Sequence, residues 1–170
     1  MGKRAELRRR LDRVLALGER VLEELAGEPP PPAAFERHLA FRWEAGRGPG
    51  RLLPIDEPAL FDLGELVGVE RAVAELVANT EQFTRGLPCN HVLLHGERGT
   101  GKSSAVRGLL GRFGGQGLRM VEVQKADLMH LPRVLEALRG APHRFVLFCD
   151  DLSFDVGEAN YRELKAALEG

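Results

Sequence analysis

Eight consecutive residues, Gly96 to Ser103, fit the pattern G-x-x-x-x-G-K-[ST]. Glycines allow tight bends, so that successive backbone N–H groups can turn inward and donate to phosphate oxygens. Lys102 can neutralise the outer phosphates, and a hydroxyl such as that of Ser103 is a ligand type that a phosphate-bound Mg²⁺ takes. The pattern therefore predicts a site for a nucleoside triphosphate.

We expect this loop and the residue after it to contact the nucleotide. The predicted contacts are Gly96, Glu97, Arg98, Gly99, Thr100, Gly101, Lys102, Ser103 and Ser104. The alternative is a glycine-rich turn between a strand and a helix, with no ligand. Against it, only four of the 24 basic residues are lysines, and the basic position of the pattern is one of them.

A second segment supplies carboxylates. Residues 144–149 are apolar enough to be a strand buried on both faces, and this strand ends in Asp150 and Asp151. We predict that Asp150 holds Mg²⁺ together with Ser103, and that Asp151 is the general base that orients water, with Lys102 as the other catalytic group. The alternative is that two acidic residues simply end a strand and begin a solvated loop.

The hydrophobic periodicity, together with the residues that begin and end helices and strands, predicts the elements that position these groups. The expected strands are 91–95, 118–123 and 144–149, and the expected helices are 70–83, 102–113, 132–140 and one from about 155 to the end. Strands alternating with helices predict an α/β core of three layers around a parallel sheet, which we assign to residues 61–170.

Residues 1–60 are predicted to form a helical N-terminal arm. An amphipathic helix is expected over 5–26, a polyproline spacer over 29–32, a helical patch from Phe35 to Trp43, and a loop over 45–51. The aromatic side chains Phe35, Phe41 and Trp43 could stack on a base or fill a partner's groove, but packing of the arm on the core is the more frequent use.

Composition and charge limit the other functions that the chain could have. The 170 residues are 44% hydrophobic with a net charge of −1, so no overall charge favours nucleic acid or anionic lipid, although residues 1–20 hold seven basic and three acidic side chains. Neither a secretory signal nor an apolar run of about 18 residues is found, and Cys89 and Cys149 are expected to be free thiols, which predicts a cytoplasmic protein. The five histidines lack metal-ligand spacing.

The order of strand, glycine loop, helix, strand, helix and acid-tipped strand resembles the first half of an AAA+ ATPase core. Within that superfamily, NHVLLHGERGTGKSS, GLRMVEVQKADLMHLPRVLEALRG and RFVLFCDDLSF resemble the bacterial ATP-binding proteins of domain-of-unknown-function family 815, from about Ala40 to Gly170. The resemblance implies an ATP-binding and probable Mg²⁺-dependent ATPase domain, with Val67 and Gly68 beside the adenine ring. It also implies a homo-oligomer with a mechanical or regulatory task, and it leaves open an unidentified protein client.

The chain departs from the superfamily pattern in two respects. Asp151 stands where the superfamily usually has Glu, which predicts slow hydrolysis. A further strand between the 91–95 and 144–149 strands, a polar sensor, an arginine finger and a helical lid are not in this sequence, which implies an N-terminal part of a longer protein, inactive by itself, with unpaired backbone beside the 91–95 strand.

Two other functions stay open. The chain could be a nucleotide-gated scaffold with little turnover, or a small-molecule phosphotransferase, although no acceptor-binding signature is evident. The segment Gln124 to Leu131 lacks the aromatic residue with which AAA+ unfoldases grip a polypeptide, which argues mildly against an unfoldase.

Overall fold

The computed structural model describes residues 32–46 and 50–152. In chain order its elements are α1 (Pro32–Arg37), β1 (Ala40–Glu44), β2 (Arg51–Ile55), α2 (Glu70–Thr84), α3 (Lys102–Phe113), β3 (Leu118–Glu122), α4 (Leu131–Leu138) and β4 (Arg144–Phe148), with 3₁₀ turns at Leu63–Glu65, Gly114–Gln116 and Lys125–His130. The predicted helices over 5–26 and after 155 lie outside the described residues.

The strands form one four-stranded sheet in the order β2-β1-β3-β4. β3 pairs in parallel with β1 on one side and with β4 on the other, while β2 pairs antiparallel to β1 at the edge. The chain therefore has an α/β fold, as the alternation of strands and helices predicted. The predicted parallel sheet is wrong at one edge, because β2 is antiparallel to β1.

The N-terminal part of the sheet is where the prediction from sequence was wrong. Residues 40–43, the second half of the predicted helical patch, form β1 together with Glu44. In this strand Phe41 and Trp43 are buried and Arg42 and Glu44 are exposed. Alternation with a period of two defines a half-buried strand, and here it outweighs a weak helical propensity. The division at residue 60 stays a prediction, but β1 and β2 share one sheet with β3 and β4.

Apolar side chains cover both faces of the sheet. One cluster contains α1, α4 and the aromatic residues Phe35, Phe41 and Trp43, all three of which are buried, as the sequence predicted. The other contains α2 and α3, with Leu109, Leu110 and Phe113 against the sheet. The layers are thus helix, sheet and helix, and their burial supplies the main stabilisation.

Arg119, which lies on β3, connects the helix α1 to the sheet. It points from β3 into the interior, where its guanidinium donates to the carbonyl oxygens of Phe35 at 2.6 Å and Gly114 at 2.9 Å. A buried guanidinium needs such acceptors, because leaving its donors unpaired away from water is costly. The contact fixes α1 on the sheet although 84 residues separate Arg119 from Phe35.

Most other predicted elements are confirmed. α2 and α3 match the expected helices within one residue, and α2 ends at Arg85 and the left-handed Gly86, where the sequence predicted its end. α4 and β4 agree within two residues. No helix among the described residues has the length and apolarity to cross a membrane.

The strand predicted over residues 91–95 is not part of the sheet. Val92 and Leu93 have 49% and 74% of their surface exposed, while the neighbouring Leu94 packs against the cluster of α2 and α3. An apolar run becomes a strand only where a neighbouring strand takes up its N–H and C=O groups. Among the described residues β4 pairs with β3 alone, so its other edge is open.

Candidate functional site

The glycine-rich loop turns sharply before α3. Gly96, Gly99 and Gly101 have φ values of 138°, 84° and 84°, which side chains with a Cβ rarely adopt. The Thr100 hydroxyl donates to the Glu97 carbonyl at 2.9 Å and closes the loop on itself. The glycines thus bend the loop sharply, and Glu97 and Arg98 lie exposed on it.

Lys102 is the first residue of α3, and its side chain folds back over this loop. Its ammonium group donates to the carbonyls of Gly96 at 3.0 Å and Glu97 at 2.6 Å. A positive charge therefore lies against the loop within reach of an anion placed there. An anion would release these two carbonyl contacts, because phosphate oxygens are the stronger acceptors for an ammonium group.

The N-terminus of α3 faces the same loop. Gly101 caps the helix without a side-chain hydrogen bond, and no acidic residue occupies the first turn. The first N–H groups of a helix lack intrahelical partners and carry the positive end of its dipole. The N-terminus of this 12-residue helix and the Lys102 ammonium therefore both contribute positive electrostatic potential at the loop.

Ser103 and Asp150 meet beside the loop. The Ser103 hydroxyl lies 3.0 Å from Oδ1 and 2.8 Å from Oδ2 of Asp150, at the end of β4. Neighbouring ligands of an octahedral Mg²⁺ with bonds of about 2.0–2.1 Å are about 2.9 Å apart. The two side chains fit one such ion, which would replace their mutual hydrogen bond and accept its remaining ligands from phosphate and water.

Asp151 follows in a strained position. Its φ of 54° is the only positive value of a non-glycine residue in the described part of the chain, and its amide donates to Oδ1 of Asp150 at 3.1 Å. The left-handed region is tolerated by Asp better than by most residues, at a cost of roughly 1–2 kcal/mol. The turn holds the Asp150 carboxylate toward Ser103 and leaves Asp151 exposed.

The stretch predicted to lie beside a base reaches the loop through Leu66. A Cβ built on Gly101 would come within 2.6 Å of Cδ2 of Leu66, so these residues are in close contact. Val67 is 86% exposed and Gly68 has a φ of 81°, with its amide donating to the Glu70 carboxylate at 2.7 Å. This hydrogen bond and one from the Glu70 amide lower the pKa of Glu70.

Two contributors were missed from the sequence. Leu66 was overlooked in favour of its neighbours, and Leu63 packs where a Cβ on Gly108 would come within 2.5 Å of its Cδ2. A glycine inside a helix is unfavourable by about 1 kcal/mol relative to alanine, so Gly108 was the available signal that another side chain approaches α3 closely.

The thiols and the histidines add no metal site. Cys89 is exposed and Cys149 half-buried, and both are free. In residues 32–46 and 50–152, no group of three or more His, Cys, Asp or Glu side chains is placed to hold a metal ion. A Mg²⁺ held by Ser103, Asp150 and phosphate needs no such group, since it retains several waters and takes few protein ligands.

The fold and the site thus define a mixed α/β protein in which a glycine loop, a lysine and a Ser–Asp pair converge at one end of a helix. The family model of DUF815, described as a protein of unknown function, matches residues 36–170, and the chain belongs to that family. No curated protein and no solved structure matches the chain.

Proposed function

We propose that the chain is an AAA+-like P-loop domain that binds ATP with Mg²⁺ and, as part of a longer protein, hydrolyses it slowly. The observation that carries the proposal is the contact between Ser103 and Asp150, at 2.8 and 3.0 Å, next to a loop whose three glycines have positive φ values. A helix N-terminus alone attracts any anion, whereas a hydroxyl and carboxylate pair beside it suits a metal bound to that anion.

Each residue has one task in this proposal. The amides from Gly96 to Ser103 donate to the phosphates, Lys102 neutralises their charge, and Ser103 and Asp150 hold Mg²⁺, which draws electron density from the transferred phosphoryl group. Asp151 accepts a proton from the attacking water, and the stretch around Val67 and Gly68 lies beside the base. The close contact of Leu66 with Gly101 supports this last placement.

The experiment is a titration of the full chain with a fluorescent ATP analogue at fixed Mg²⁺. Lys102→Ala should weaken binding by about 100-fold or more, because charge-assisted hydrogen bonds to phosphate are the strongest that the site offers. Arg71→Ala is the matched control, since it removes a cation from a side chain that is 94% exposed on α2. Equal affinity of the Lys102→Ala variant and the wild type would overturn the proposal.

Hydrolysis is tested separately from binding. In a longer protein that carries this domain, phosphate release should fall in Asp151→Asn with little change in affinity, since the substitution removes the proton acceptor and keeps the size of the side chain. ATP binding without phosphate release in that longer protein would favour a nucleotide-gated scaffold, in which ATP orders a partner surface.

A further inference from the structure

An apolar groove lies along α2 and reaches the glycine loop through Leu66. It has a volume of about 370 Å³ and runs between α2, the turn Leu63–Glu65 and the last turn of α3 at Arg112. Its apolar lining is Leu63, Leu66, Val73, Ala74, Val77 and Ala78. Arg112 follows Lys102 by ten residues of helix, so the Arg112 end of the groove is about 15 Å from the proposed phosphate site.

The rim of this groove is mainly acidic. Glu70 and Glu81 line it from positions on α2 that are 11 residues apart, or about 16 Å along the helix, and the exposed Glu65 belongs to the turn at its side. Arg112 is the basic side chain of the lining. The groove therefore suits an apolar helix face flanked by positive charge.

We propose that residues 1–20 of the same chain dock in this groove as an amphipathic helix. This segment holds seven basic and three acidic residues, and Leu7, Leu11 and Val14 follow one another at spacings of four and three. Those spacings place the three side chains on one helix face, with the arginines beside them. Both the apolar pattern and the charge of the segment match the groove.

The other segment of the chain outside the described residues matches less well. Residues 153–170 carry four acidic and two basic side chains, which gives them the same sign of charge as Glu70 and Glu81. Because like charges repel, the acidic side chains at the rim of the groove disfavour docking of residues 153–170.

The chain between residue 20 and α1 is long enough for docking in cis. The 11 residues 21–31 can span at most about 36–40 Å when extended, and less where they are helical. A folded unit of about 120 residues has a radius of gyration of about 14 Å, so this connection can pass from one face of the sheet to the other.

Docking also connects the N-terminal segment to the glycine loop. Leu66 lines the groove and is in close contact with Gly101 at the start of α3. A helix packed on Leu66 therefore restricts the side chain on which the loop rests. The docking itself depends only on the groove, and it holds whether or not the loop binds ATP.

The test is photo-crosslinking in the full chain without nucleotide, so that its outcome does not depend on the proposed function. A benzoylphenylalanine probe replaces Ala74 in the groove or, as control, Glu75, whose side chain is exposed and outside the lining. Adducts with residues 1–20 should be at least fivefold more abundant from position 74. Adducts mainly with residues 153–170, or none with residues 1–20, would overturn the proposal.

Two further arms complete the test. Mixing isotopically heavy and light chains should give only heavy–heavy and light–light adducts, whereas mixed adducts would mean that a second copy fills the groove and would overturn docking in cis. With the probe at position 74, Ala78→Arg should reduce the adduct at least threefold more than Ala78→Glu. Both substitutions add bulk at an exposed position, and only Arg opposes the basic segment. Equal effects would contradict recognition by charge.

Discussion

The Ser103 hydroxyl lies within hydrogen-bonding distance of both carboxylate oxygens of Asp150, although 47 residues separate the two along the chain. β4 ends at Phe148, two residues before Asp150, and α3 begins one residue before Ser103. The carboxyl end of a strand and the amino end of a helix thus meet at one point. This is the point at which open α/β sheets place their ligands.

The first prediction concerns the metal-dependent part of ATP affinity. Asp150→Asn and Ser103→Ala should each weaken binding about tenfold in Mg²⁺, because each removes one ligand of the same ion. The double variant should be little worse than either single variant, since the two residues act through one metal. Titration calorimetry with and without a chelator measures all four chains.

The control for this prediction is the neighbouring Ser104→Ala, which keeps the backbone amide and removes a different hydroxyl. In the chelator, Asp150→Asn should bind ATP as well as the wild type or better, because a negative charge near the phosphates has been removed. A loss of affinity that is equal with and without Mg²⁺ would show that Asp150 acts on the fold and not on a metal.

The second prediction separates two ways in which a methyl group added to the loop lowers stability, namely backbone strain and a steric clash. Gly99→Ala meets no atom within 4 Å, so it carries only the strain of a positive φ, about 1–2 kcal/mol. Gly101→Ala carries the same strain and a clash with Cδ2 of Leu66, which a shift of that side chain must relieve, and should lower the free energy of unfolding by about 0.5–1.5 kcal/mol more. Urea denaturation measures both differences.

A companion variant tests the origin of the larger cost. Leu66→Ala destabilises the chain by itself, but the further loss caused by Gly101→Ala should be smaller in that background, because the clashing Cδ2 is gone. If the two losses simply add, the contact between Leu66 and the loop is not the cause.

Much of the site could be predicted because its signals are local. The glycines, Lys102 and Ser103 are adjacent in sequence, and their conformations follow from φ preferences and helix capping. Asp150 could be placed because an apolar strand delivers whatever residue follows it to the edge of the sheet. Contacts between distant segments, such as Leu66 with Gly101, left no periodic signal and were missed.

The secondary structure could be predicted where the hydrophobic pattern has one clear period. It could not be predicted where a helical and a strand period compete. α2 and α3 have long helical patterns, whereas Ala40–Glu44 is a five-residue run that alternates but also contains helix-forming residues. For residues 91–95 the apolar run predicted a strand that the structure does not contain, because pairing depends on a neighbouring strand and not on the run itself.

The third prediction is a pH dependence of stability caused by His143. Burial, with the nearby Arg119 in addition, lowers the pKa of His143, while Glu36 opposes the shift. The folded chain thus favours the neutral imidazole, and the unfolded chain binds its proton more readily. The stabilisation is complete above the ordinary histidine value of about 6.5 and decreases as the pH falls below it.

Denaturation midpoints between pH 5 and 8 measure this effect. His143→Phe should flatten the dependence below pH 6.5, because the ring already lies among Phe35 and Phe145 and Phe cannot be protonated. His95→Gln, which changes an exposed histidine of the site region, should retain the slope of the wild type. An unchanged slope in His143→Phe would assign the dependence to other groups.

The last prediction uses the thiols to report on Asp150. Burial raises the pKa of Cys149, and the adjacent Asp150 carboxylate raises it further, against a smaller opposing effect of Lys125. Because the thiolate is the reactive form, alkylation at pH 8 should modify the exposed Cys89 at least tenfold faster than Cys149. In Asp150→Asn the pKa of Cys149 falls, so its alkylation should become severalfold faster while that of Cys89 stays the same.

Differential labelling followed by mass spectrometry measures both rates in one sample, with Cys89 as the internal standard. Acceleration of both thiols together would indicate loosening of the fold, and only a selective change at Cys149 is the electrostatic effect of the carboxylate that we place on Mg²⁺.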